Sequence, residues 1–210
     1  MPFFKPLLCR IWQTGSRMAD LLFYHGCDFG TWMDQEEAGF CQEQGNKYQP
    51  CNGALNRVIR DLKIRPQDRI LDIGCGKGRA MAIMRRYPFE EVAGIDLSLK
   101  LVEIANLNFR RLGLDNCAAC QADAAEYEDW DRFNYFYLFN SLPEPVFRRA
   151  MARLCASLRR HPRRCVLIYL NPVCHLFLTK QTPFRLVRTY ASWCSWFEYR
   201  VYEANLSDPG

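Results

Sequence analysis

Asp72-Ile73-Gly74-Cys75-Gly76-Lys77-Gly78, then Asp96 and Asp123, are the residues whose types and spacing could do chemistry. A glycine-rich turn that leaves a strand and opens a helix lets backbone approach a ligand and points free N–H groups at it. Two nucleotide-binding patterns use such a turn, and neither fits. The dinucleotide pattern needs Gly-x-Gly-x-x-Gly, but counting from Gly74 and Gly76 its last position is Arg79. The phosphate-loop pattern needs Ser or Thr after Lys77, where Gly78 stands, and a glycine where Leu71 stands. Asp72 also places a carboxylate at the strand end, which would repel a phosphate. A cationic ligand suits the turn better.

Ile70 through Gly78 resembles motif I of class I methyltransferases that use S-adenosylmethionine (SAM). SAM carries a sulfonium and an ammonium, so the resemblance agrees with the charge argument. It implies that Asp72, Ile73, Gly74, Cys75, Gly76 and Gly78 surround the methionine half of the cofactor. Gly94-Ile95-Asp96-Leu97-Ser98 resembles the next family motif, in which Asp96 takes both ribose hydroxyls with Leu97 beside it. Asp96 lies roughly twenty residues past the glycines, the offset of ribose-binding acids in dinucleotide folds. Gln121-Ala122-Asp123-Ala124 resembles the site where an acid accepts from the adenine amino group and the next N–H, that of Ala124, reaches the ring. Three acids thus end three successive strands, and in a doubly wound sheet all three face one crevice.

The reacting end is expected after the fourth strand, at Leu138-Phe139-Asn140-Ser141-Leu142-Pro143. Asn140 stands where amino-methylating families place Asn or Asp to hold the nucleophilic nitrogen, and is the expected catalytic position as well as a cofactor neighbour. Ser141-Leu142 departs from the Pro-Pro-aromatic pattern of those families. Tyr48 precedes the first helix and is expected either to close over the site or simply to pack. Tyr135, Tyr137 and Phe139 could supply aromatic surroundings, with ordinary strand packing as the alternative. Tyr48-Gln49-Pro50, Tyr87-Pro88-Phe89 and Asn171-Pro172-Val173 give a narrower resemblance to small bacterial methyltransferases distantly akin to Dot1-like lysine methyltransferases. That implies a protein lysine amine as acceptor. A small molecule, RNA, or a catalytically silent SAM-binding module stays open, and an NAD-linked oxidoreductase is the remoter reading.

Hydrophobic periodicity supplies the scaffold. Leu55, Val58, Ile59 and Leu62 form one helical stripe ending near Lys63, and 69–73 reads as a buried strand before the turn and a helix through Met84. Strands follow at 92–95, 118–122, 135–139 and 165–170. Between them run a helix capped by Ser98 with Leu101, Ile104, Ala105, Phe109 and Leu112 inward, and one carrying Phe147, Met151, Leu154 and Leu158. Past Pro172, residues 184–190 and 197–202 alternate polar and apolar across a link with Trp193 and Trp196, as an antiparallel hairpin does. The expected fold is α/β: a Rossmann-like, doubly wound, mostly parallel seven-stranded sheet with an antiparallel C-terminal hairpin and helices on both faces.

With 210 residues the chain suits a single domain. Residues 1–52 are expected to form an N-terminal extension and cap segment, 53–205 the SAM-binding domain and 206–210 a tail. The irregular stretch from Gly26 to Cys51 has the character of a lid. Residues 2–24 mix apolar and basic side chains and read as a docked helical extension, with membrane-surface contact as the alternative. A net charge of +5 neither requires nor excludes nucleic acid. The basic run 159–164 belongs at the sheet end away from the crevice, as a solvated face. Eleven cysteines, with Cys75, Cys120, Cys155 and Cys165 in apolar stretches as small hydrophobes, fit a reducing, cytoplasmic setting. Cys117-Ala118-Ala119-Cys120 is half a zinc site without a second half, so no metal is expected. No apolar run is long enough to span a membrane. His25 and His175 have no recognisable partner, and Asp28-Phe29-Gly30 reads as a turn.

Overall fold

Short apolar runs become strands in the computed structural model, which describes residues 26–49, 54–191 and 198–205. Readings on the extension over 2–24, His25, the Trp193/Trp196 link and the 206–210 tail lie outside the described residues. β1 (Arg69–Ile73), β2 (Glu91–Asp96), β3 (Cys117–Gln121), β4 (Tyr135–Phe139) and β5 (Arg164–Leu170) pair in parallel. β6 (Arg185–Tyr190) and β7 (Tyr199–Asn205) run antiparallel, and the sheet order is β3-β2-β1-β4-β5-β7-β6. This is the expected seven-stranded, mostly parallel sheet.

The period of two along each strand divides the core in two. Ile70, Val92, Tyr135, Tyr137, Val166 and Ile168 face one side, where α2 (Leu55–Asp61), α3 (Arg79–Met84) and α4 (Leu99–Arg111) deliver Val58, Met81 and Phe109. Leu71, Ile73, Phe136, Leu138 and Leu167 face the other, against α5 (Glu144–Arg160), which delivers Phe147, Met151 and Leu154. Asp72 sits between Leu71 and Ile73 on the first side, so the pleat turns it toward α3 and α4 rather than α5. Ser98 caps α4 as the sequence predicts, its side chain accepting from Leu101 N.

Three features differ from expectation. A helix, α6 (His175–Gln181), follows Pro172, and His175 Nδ1 lies 2.9 Å from the Tyr202 hydroxyl, so it does have a partner. Cys75, Cys155 and Cys165 are buried, but Cys120 is exposed, because β3 is the sheet edge and presents alternate residues to solvent. The basic run is only partly a solvated face: Arg160, His161 and Arg163 converge on Asp131, and Arg163 donates to Trp130 O at 2.8 Å. The run does lie at the start of β5, at the opposite end of the sheet from the glycine turn. No helix among the described residues is long and apolar enough to cross a membrane.

Chain order reverses between β1 and β4, which leave in opposite directions along the sheet. At such a switch point the connections after the strands part and leave a crevice at their carboxyl ends. The 26–49 segment, which contains the short α1 (Gln35–Ala38), lies across it.

Candidate active site

The glycine turn is held by backbone before any ligand is considered. Gly74 N and Cys75 N both donate to Ile95 O, at 2.8 and 3.0 Å, which ties the end of β1 to that of β2. Gly76 N donates to Asp96 Oδ2 at 2.8 Å, and Ser98 N donates to Asp96 Oδ1 at 2.9 Å. Asp96 therefore fixes the turn and the start of α4 at once. A carboxylate has about four acceptor positions, so Asp96 keeps capacity beyond these bonds.

Gly74 and Gly76 have φ of +75° and +53°, a region that residues with a Cβ avoid. A Cβ on Gly74 would come within 2.3 Å of Ser141 Oγ, and one on Gly76 within 2.3 Å of the Tyr48 ring. These glycines thus admit the chain's own side chains over the turn. A Cβ on Gly78 would strike Phe109 instead, so that glycine serves the packing of α3 against α4.

Asp72, Gly74, Cys75, Gly76, Asp96 and Leu97 line one cleft of about 670 Å³, counting the part open to solvent, with Tyr48 also in its wall. The other sequence-predicted positions lie apart from it. Ile73 is fully buried in the core on the α5 side. Asp123 is exposed, its Oδ1 accepting from Ala125 N at 2.8 Å, and Ala124 is buried behind it. Asn140 lines an adjoining cavity, not the cleft itself. Of the three candidate aromatics, Tyr137 and Phe139 reach the cleft, whereas Tyr135 accepts from Arg164 at the far end of β4.

The electrostatics centre on Asp72. It is 2% exposed, and its Oδ2 has no hydrogen-bond partner among the described residues. Burial, and then the negative charge of Asp96, push its carboxyl well above the usual carboxylate range. Burial raises Asp96 too, against the lowering effect of the N–H groups of Ser98 and Gly76. The Cys75 thiol is likewise raised well above its ordinary value by burial, and then by the charges of Asp96 and Asp72. It is therefore not a thiolate nucleophile.

Asp28, Asn108 and Asn46 join the site through contacts that no local sequence signal marks. Lys77 is fully buried and its Nζ lies 2.7 Å from Asp28 Oδ2, a partner 49 residues away, and 5.5 Å from the Tyr48 ring centroid. Asn108 accepts from Asp28 N and donates to both Asp28 O and Lys77 O, and Tyr48 donates its hydroxyl to Phe29 O at 2.8 Å. Asn46 donates to Ser141 O from its backbone and to Asn140 O from its side chain. Ser141, the departure from the family pattern, donates to Ile73 O at 2.7 Å and so ties the end of β4 to the glycine turn.

The Asp28–Lys77 pair staples the 26–49 segment to the turn. Asp28→Ala leaves a buried ammonium without its carboxylate, a change that costs about 3–5 kcal/mol when the pair is fully buried. Asp28 itself is 39% exposed, so a loss of about 1–3 kcal/mol is expected by chemical denaturation. Lys77→Met in the Asp28→Ala background should recover part of it. Additive losses in the double variant would contradict the pairing.

Residues 70–161 match the family model described as a methyltransferase domain. The match runs from β1 to the end of α5, less than half of the chain. The chain is 35% identical over 105 residues to the protein-L-isoaspartate O-methyltransferase of Rhizobium meliloti, covering 48% of this chain and 50% of that one. A release factor glutamine methyltransferase of Rhodopirellula baltica is 36% identical over 72 residues, 33% of this chain and 24% of the relative. The chain thus spans half or less of the curated relatives it matches. Among solved structures, a SAM-dependent O-methyltransferase from Thermotoga maritima superposes with a TM-score of 0.63 at 16% identity, covering 78% of this chain and 69% of the other. An RNA methyltransferase from Salinibacter ruber in complex with S-adenosyl-L-homocysteine gives 0.56 at 17% identity, covering 77% and 95%. At these identities the likeness establishes the fold alone.

Proposed function

We propose that this chain binds SAM in the cleft at the carboxyl ends of β1, β2 and β4 and transfers its methyl group to an acceptor. The observation that carries the proposal is the buried Asp72 carboxylate with an oxygen lacking a partner among the described residues, in the wall of a cleft floored by glycines. A buried carboxyl in that state is stabilised by a cation, and SAM's methionine portion brings one. In this reading Asp96 uses its remaining acceptor capacity for the ribose hydroxyls, Leu97 lies along the nucleoside, and the adenine end extends beyond the cleft wall toward Asp123 and Ala124 N. Tyr48 and the 26–49 segment exclude water over the turn. When bound, SAM supplies an electrophilic methyl on a sulfonium, so the protein's part is positioning and desolvation.

The finer reading, transfer to a protein lysine amine assisted by Asn140, takes its support from the position of Asn140 after β4. An amine must lose a proton before it attacks, and Asn140 Oδ1, buried with no hydrogen-bond partner among the described residues, is an acceptor but not a base. The test is methyl-labelled SAM incubated with the protein and a cell extract that is then separated into protein, RNA and small molecules. Label above a no-enzyme control in any fraction supports transfer. Bound SAM with label in none would leave a SAM-binding module without turnover.

A pH dependence follows from Asp72. Its folded value lies above the unfolded one of about 3.9, so its contribution to the stability of the free protein is fully present below the unfolded value. That contribution is lost as pH rises through the folded value. A cation beside Asp72 favours the ionised form, so SAM binding should release a proton, and affinity should rise with pH until the raised value is passed. Calorimetry in buffers of different ionisation enthalpy reads the proton directly. Binding with no proton exchanged at any pH below neutrality would show that Asp72 does not meet the cation.

A further inference from the structure

Beside the cofactor cleft lies a cavity lined by five carboxamides, Gln35, Asn46, Gln49, Asn140 and Asn171, together with Lys47 and Phe139. Asn46, Lys47, Gln49 and Phe139 line the cleft as well, so the two spaces share a wall. We infer that this cavity is the acceptor site and that it selects a carboxylate, so that the product is a methyl ester. The inference rests on the methyltransferase reading above and adds the chemical class of the acceptor.

The lining decides the class. Among the described residues lining the cavity, Lys47 carries the only charge, and none is His, Asp or Glu. The Lys47 ammonium lies 5.0 Å from the Trp32 ring centroid, a cation held on an aromatic face. Asn46 Nδ2 is engaged by Asn140 O, and Asn140 Oδ1 is buried in the wall. What the cavity offers an incoming group is therefore the ammonium of the exposed Lys47 and the carboxamides of the half-buried Gln35, Gln49 and Asn171, which both donate and accept but neither carry charge nor take a proton. A protonated amine entering here meets a like charge and finds no carboxylate to pair with or base to take its proton. A hydroxyl also lacks a base. A carboxylate is already ionised at neutral pH, with reference values near 4, and accepts from both ammonium and amide N–H groups.

The step balances without a base. A lone pair of the carboxylate oxygen forms the O–CH₃ bond as the C–S bond breaks, and sulfur keeps that bonding pair. The products are a methyl ester and a neutral thioether, and no proton is released. Opposite charges cancel in this step, so a site that excludes water favours it.

The experiment uses the full chain, methyl-labelled SAM and a cell extract, followed by mild alkali, which hydrolyses methyl esters to volatile methanol and leaves N-methyl groups and ethers intact. Most of the enzyme-dependent label is expected as methanol. Its recovery from the protein fraction or the low-molecular-weight fraction tells a peptide carboxylate from a small acid. Lys47→Gln should raise the KM for that acceptor fraction by roughly tenfold or more with a smaller change in kcat, and Lys47→Arg should restore most of it. Label that is mainly alkali-stable, on amine, amide or RNA, overturns the carboxylate assignment while leaving methyl transfer intact. An unchanged KM in Lys47→Gln overturns the role of Lys47, and no label in any fraction sinks both readings together.

Discussion

Asp96→Ala is expected to abolish SAM binding and to lower the thermal midpoint of the protein. Both oxygens of Asp96 accept from backbone, Gly76 N at 2.8 Å and Ser98 N at 2.9 Å, in a site where Asp96 is 7% exposed. Alanine leaves two buried N–H groups without partners, each costing about 1–3 kcal/mol. Removing a carboxyl whose ionisation burial disfavours returns part of that cost. A net loss of about 2–4 kcal/mol corresponds to a fall of roughly 5–15 °C in a protein of this size. The affinity loss has a separate origin, the missing acceptor for the ribose hydroxyls, so it should persist at temperatures where the variant is fully folded. Asn140→Ala is the contrasting variant, expected to slow transfer and largely spare binding. If Asp96→Ala bound SAM normally while Asn140→Ala lost it, the two assignments would be reversed.

Gly76→Ala should reduce SAM affinity about 100-fold, and here the cause is local geometry rather than charge. At φ of +53° a side chain is strained, and the added Cβ would stand 2.3 Å from the Tyr48 ring. The ring has little freedom to step aside, because its hydroxyl is tied to Phe29 O and Lys77 lies beside it. The methyl group therefore lifts Tyr48 and loosens the 26–49 segment, which should show as faster amide exchange there with the rest of the sheet unaffected. Strain and clash can be separated. Adding Tyr48→Ala removes the clash but not the strain, so Gly76→Ala should cost clearly less in that background, a non-additivity expected of residues in contact. Strictly additive effects would show that Tyr48 does not rest on the turn.

The half of the site that the sequence made legible is the half built from regular structure. Short runs of four to six mostly apolar residues predicted β1, β2, β4 and β5 closely, because strands buried on both faces need no alternation to be recognised. Asp72 and Asp96 were readable because they stand at or next to the carboxyl ends of adjacent parallel strands, where the crevice opens. The helix α6 escaped because only Leu178 in it is fully buried and Leu176 is 64% exposed, too little contrast to show a helical period. Cys120 was misread because its neighbours are apolar, while burial on an edge strand depends on which face a residue takes.

The other half is assembled by contacts distant in sequence. Lys77 finds Asp28 across 49 residues, and Asn46 reaches Asn140 across 94. No spacing rule links such pairs, so the latch over the turn and the wall shared by cleft and cavity emerge only in three dimensions. Ser141 is the instructive case. In the sequence it is only a departure from a family motif, yet its hydroxyl bonds to Ile73 O and its side chain fills the space that Gly74 leaves open.

The central claim is that the cleft around Asp72, Gly76 and Asp96 is a SAM site, and calorimetric titration of the full chain with SAM tests it most directly, with NAD as the control ligand. Saturable binding of one SAM per chain, none of NAD, and loss of the SAM signal in Asp96→Ala is the predicted result. No heat and no saturation with SAM, or equal binding of NAD, would contradict it.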